Sequence, residues 1–86
     1  MPIISRFLGI LIALYWNDHT PPHFHAKYSG DEAVIDIKTG EILKGSLSKR
    51  VLGLVEEWRR LHVNELMQDW ELARQRKPLQ YISPLE

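Results

Sequence analysis

The sequence predicts an α+β protein: an antiparallel meander of three to four strands packed against one long C-terminal helix, continuous or kinked, with an extended tail behind it. Three observations carry this. Alternating apolar patterns dominate up to Lys44, and helical spacing takes over after Gly45. Each alternating stretch closes on Pro, Gly, Asn or Asp. The chain has 86 residues, enough to close around one core and too few for a second, so 1–86 reads as a single domain.

The elements follow in order. Residues 9–16 are apolar on both alternating sets, as in a strand covered on both faces. Asn17 to Pro22 stops it, because Pro22 lacks a donor and forces Pro21 away from helix. Residues 23–28 alternate strictly, with Phe24, Ala26 and Tyr28 on one side and His23, His25 and Lys27 on the other. Ser29-Gly30-Asp31 is a tight-turn signal. Residues 33–38 alternate again, Thr39-Gly40 turns, and 41–44 form a short last strand.

Beyond Gly45, Ser46 is a good N-cap, and Leu47, Val51, Leu54, Val55, Trp58, Leu66, Trp70 and Ala73 recur at helical spacing. A helix over 47–76 is expected, ended by Lys77-Pro78. A break near His62-Val63-Asn64 is the competing division, with Asn64 as a second cap. The stripe keeps its phase across His62, which favours the continuous or kinked form. Residues 77–86 form an extended tail.

Composition narrows the function classes. Without cysteine there is no disulfide framework, thiolate metal site or cysteine nucleophile, and a cytoplasmic location fits. Eleven basic against eleven acidic residues give no general field to draw in nucleic acid or an anionic membrane. The apolar run Phe7–Trp16 resembles part of a signal peptide, but it is about half the ~20 residues that span a bilayer and no small-residue cleavage site follows. No membrane partner is expected.

Histidine is the exception. There are four, and His19, His23 and His25 fall within seven positions. His23 and His25 share one strand face. If Ser29-Gly30 are the turn residues, His23 pairs with Asp36; if Gly30-Asp31 turn, His25 does. Either register keeps the apolar residues together, whereas a one-residue slip mixes the faces. A His-His-Asp cluster is therefore expected on the polar face, with Asp18 and His19 hanging from the preceding loop.

Three readings stay open. His23 and His25 serve as general base and acid in phosphoryl transfer such as RNA cleavage, with Asp36 fixing a tautomer, Lys27 offsetting phosphate charge and His19 in support. Alternatively His23, His25 and Asp18 hold a divalent metal. Or the imidazoles only bond backbone and water after a Pro-Pro turn. Elsewhere, His62 reads as a boundary residue, Trp58 and Trp70 as core or dimer contacts, and the basic pairs of the helix as solvated edges.

The run Asn17-Asp18-His19-Thr20-Pro21-Pro22-His23-Phe24-His25-Ala26, with Ile4 to Phe7, Gly9-Ile10, Tyr15 and Tyr28, resembles a bacterial domain-of-unknown-function family of small single-domain proteins. Gly45-Ser46-Leu47, Trp58, His62 to Leu66, Trp70, Pro78-Leu79 and Ile82 to Leu85 extend the likeness over essentially the whole chain. Ser48 departs from it, since relatives often carry Pro there. The resemblance implies a toxin-antitoxin component, encoded beside a second small protein, and it brings no catalytic residues with it. The leading expectation is thus the toxin-like half of a two-protein module acting on RNA without a cofactor, its partners RNA and a cognate antitoxin-like protein. The alternatives are a non-catalytic binding partner, using the tail and exposed helix face, and a divalent-metal-binding domain. A homodimer is compatible with each.

Overall fold

A computed structural model describes residues 2–16 and 18–86. Met1, the first residue of the expected domain, and Asn17, the first of the expected loop, lie outside the described residues. Five antiparallel strands form one sheet in chain order: β1 (Ile3–Phe7), β2 (Ile10–Ala13), β3 (His23–Tyr28), β4 (Asp31–Asp36) and β5 (Ile42–Gly45). Two helices follow, α1 (Lys49–Leu61) and α2 (Val63–Arg74). The α+β class and the antiparallel meander stand as expected.

β1 was not foreseen as a strand. Its register against β2 shifts between Ile3 and Ser5, so Ile4 and Ser5 are both buried and the alternation that marks a strand is lost. The turn into β2 is also concealed, because Leu8 and Gly9 take φ +50° and +82° inside what reads as one apolar run. β2 is accordingly shorter than the expected 9–16, and Trp16 stands 52% exposed. Ser29 and Gly30, at φ +50° and +87°, make the equivalent turn between β3 and β4 and fix His23 opposite Asp36 and His25 opposite Val34.

The expected single helix is divided at His62. That residue leaves helical geometry (φ −128°, ψ 24°), donates its N–H to the Arg59 carbonyl, and accepts from Leu66 N–H as the next helix begins. Asn64 lies inside α2 and does not cap it. Size explains the break. Thirty helical residues would extend ~45 Å, whereas the longest dimension of the molecule is 33 Å. Breaking at His62 lets Trp58, Leu66 and Trp70 all reach the core. Ser48, not Ser46, caps α1, its hydroxyl accepting the Val51 N–H.

The helices share the apolar core with the sheet, where Phe24, Ala26, Ala33 and Ile35 join Val51, Val55 and Trp58. The tail runs along the free edge of β1. Ile82 N–H donates to Ile4 O (2.7 Å), Trp58 Nε1 to Ser83 O (2.8 Å), and Gln80 N–H to the buried Asp69 carboxylate (2.8 Å). Among the described residues, no helix is long and apolar enough to cross a membrane.

Candidate functional site

β3 presents His23 and His25 side by side, their ring centroids 5.4 Å apart. The loop from β2 folds back across Thr20 to Pro22 and brings Asp18 over both rings. Asp18 Oδ2 lies 2.8 Å from His23 Nε2 and 3.3 Å from His25 Nε2, while Oδ1 accepts the His19 N–H.

The other ring nitrogens are already engaged. His23 Nδ1 is 2.8 Å from the Pro21 carbonyl, which can only accept, so Nδ1 carries the proton there. His25 Nδ1 is 2.7 Å from Glu32 Oε2, which likewise fixes its proton when the carboxylate is ionised. Each neutral ring has one N–H, and both are spent away from Asp18. Three acceptor atoms, two Nε2 and one carboxylate oxygen, then face one another with no donor between them among the described residues.

The surroundings hold this arrangement. The Trp70 ring stands 5.3 Å from that of His23, and Tyr15 meets His25 edge-on at 4.3 Å. His23 is only 7% exposed. Burial pushes the Asp18 carboxyl up, but the His19 N–H and the two imidazoles, which donate from Nε2 when they carry a second proton, outweigh this and hold it below its ordinary value. Beside the cluster opens a cavity of about 440 Å³, which Asp18, His19, His23, His25, Glu32, Val34, Lys44 and Gly45 line. That volume is in the range of small-ligand sites.

The expected residues divide. His23, His25 and Asp18 come together, and His19 lies on the cavity wall. Asp36 pairs with His23 through the backbone register, yet its carboxylate turns to the Lys38 and Thr39 N–H groups (2.8 and 3.0 Å) and organises the next turn. Lys27 sits with Tyr15, whose side-chain hydrogen bond holds its ammonium above the ordinary range. Glu32, Tyr15, Trp70 and Lys44 were not foreseen as neighbours of the site. Glu32 was within reach of the register that placed Asp36, since it pairs with Lys27 and is diagonal to His25.

A family model described as "Domain of unknown function (DUF4160)" matches residues 9–71. The chain belongs to the DUF4160 family. The DUF4160 match takes in every residue of the cluster and its cavity, whereas β1 and the tail fall outside it. No curated protein and no solved structure matches the chain.

Proposed function

We propose that the protein binds a divalent first-row transition metal, with His23 Nε2, His25 Nε2 and Asp18 Oδ2 as ligands and the cavity on the open side of the ion. One observation carries this: three acceptor atoms converge within 4.8 Å of one another while both Nδ1 protons are engaged elsewhere. Two imidazoles and a carboxylate facing one point need a cation there. Metal-ligating histidines characteristically donate their second nitrogen to a carbonyl or carboxylate, as His23 and His25 do to Pro21 and Glu32. The two edges to Asp18 are short enough for ligands of one ion. Metal–ligand bonds of ~2.05 Å give ligand–ligand edges of about 2.9 Å in an octahedron and about 3.3 Å in a tetrahedron, and Asp18 Oδ2 stands 2.8 and 3.3 Å from the two Nε2 atoms. Three protein ligands with an open side are the pattern of sites that act on a ligand, whereas structural sites are closed.

The test is metal content. Untagged protein equilibrated with zinc, manganese or nickel and passed through a desalting column should retain about one ion per chain. The His23→Ala/His25→Ala variant should retain none. Sub-stoichiometric metal in the wild type with all three ions would sink the proposal.

A second reading places a proton where the first places a metal. A proton shared among two imidazoles and a carboxylate provides an acid and a base in one cavity, which supports a metal-independent ribonuclease, the toxin-like half of a toxin-antitoxin pair. His19 at the wall then assists. On that reading, expression arrests growth and the double histidine variant relieves the arrest while still folding. Arrest that survives the double substitution would remove the catalytic role.

A further inference from the structure

We propose that the cavity takes a phosphate ester, bound between the open side of the metal and the Lys44 ammonium; this rests on the metal reading above. The sheet itself aligns the two. Val34 pairs with His25 on one side and with Lys44 on the other, so the three lie in one row across β3, β4 and β5 and their side chains leave the same face. Both His25 and Lys44 line the cavity, with Val34 as the apolar floor between them. Adjacent strands stand ~4.8 Å apart, so a flexible lysine two strands away spans back toward the ion from the far wall.

Charge decides what fits. Asp18 and Glu32 are the carboxylates of the cavity, and together they balance a divalent ion. Lys44 is then in surplus, and its ammonium enters no ion pair among the described residues. Lys27, the other lysine on this face, is occupied with Tyr15. A neutral site with one additional cation selects an anion. A metal on one side and a lysine on the other can each take a different oxygen of a phosphate, which has more oxygens to share than a single carboxylate, and lysine binds phosphate well as a point charge.

The probes are methyl phosphate and acetate, titrated calorimetrically into zinc-loaded, untagged protein. Methyl phosphate should bind at least about tenfold more tightly than acetate. Lys44→Gln should weaken methyl phosphate about tenfold, with zinc affinity unchanged and Lys44→Arg largely restoring binding. Lys44 is exposed on β5, so these variants keep the fold. Zinc-loaded protein that ignores methyl phosphate, or binds acetate equally well, overturns this proposal and leaves the metal reading standing. So does an unaltered Lys44→Gln titration. Wild type that takes up no zinc overturns both, and that result is seen before any phosphate is added.

Discussion

Two buried polar clusters lie at opposite ends of the same short stretch of chain, and they are built on opposite logic. At the turn after β4, Arg59 of α1 is 6% exposed and donates from Nη1 to the Ile37 and Lys38 carbonyls, while Nε and Nη2 engage the Glu56 carboxylate at 2.8 and 2.6 Å. Asp36 takes two N–H groups of that turn, and Gly40, at φ +79°, leaves no room for a Cβ beside Glu56 and Arg59. Each of the three guanidinium nitrogens there meets an acceptor. At the start of β3 the acceptors meet one another. A satisfied cluster serves architecture; facing acceptors with no donor between them among the described residues are what the proposed cation site rests on.

The largest effect should come from breaking the satisfied cluster. Arg59→Ala strands two carbonyls and leaves the Glu56 carboxylate with Arg60 Nε alone, at 2.9 Å. Loss of one partner of a buried pair costs ~3–5 kcal/mol; Glu56 is partly solvated and keeps this second partner, so a loss at the low end, about 3 kcal/mol, is expected. Urea denaturation measures it. The variant should still bind zinc wherever it is folded, and a loss below about 1 kcal/mol would show that the turn does not need its clamp.

Asp18→Asn is the reciprocal experiment. Asparagine keeps the shape and offers an N–H to the bare Nε2 atoms, so the metal-free fold should remain within about 0.5 kcal/mol of wild type. Zinc affinity should fall about a hundredfold or more, and the rise of the melting temperature with zinc should disappear. If Asp18→Asn destabilises the metal-free protein as severely as Arg59→Ala, the two clusters are alike and both are structural.

How far the sequence disclosed this contrast depended on which interactions follow from chain-local rules. Side-chain alternation was enough to put Asp36 on the face of His23 and His25 but left two registers open, of which the observed Ser29-Gly30 turn selects the one that pairs it with His23; the strands β3 to β5 came within a few residues of their observed bounds. Alternation fixes faces; it does not say which way a carboxylate turns. Asp36 pairs as expected but faces its own turn, drawn by two unpaired N–H groups close by in sequence. Asp18 reaches the imidazoles because the loop folds back, a tertiary fact, although its closeness in sequence to His23 made it a candidate. β1 was hidden by its irregular register, whereas the division at His62 was the competing reading, ranked second because the apolar stripe keeps its phase through the break.

Glu32 gives a subtler handle on the site. It holds His25 by Nδ1 and touches the proposed ion only through that ring. Glu32→Gln preserves an acceptor and removes the charge, so zinc should stay bound but about tenfold more weakly. Unchanged affinity in a zinc titration would show that Glu32 does not position His25. Lost binding on the scale of Asp18→Asn would make Glu32 a ligand in its own right.

Asp69 separates burial from readiness to bind. It is fully buried on α2, where Oδ1 accepts the Gln80 N–H and Oδ2 has no partner among the described residues. Burial raises its carboxyl above the ordinary 3.8, more than the Gln80 hydrogen bond lowers it, and Glu65 adds to the rise. A carboxyl raised in the folded state favours folding when protonated, so its contribution is present below the ordinary carboxyl value and is lost as pH rises through the raised one. Asp69→Asn keeps the acceptor for Gln80 and removes the titration. It should therefore shift the urea midpoint upward at about pH 7, with the advantage closing at about pH 3.5 where both side chains are neutral. A lower midpoint at neutral pH would mean that the Asp69 charge has a partner that stabilises it. The expected gain would mark Asp69 as a buried acid that the fold tolerates, in contrast to Asp18, whose charge is directed at two imidazoles beside an open cavity.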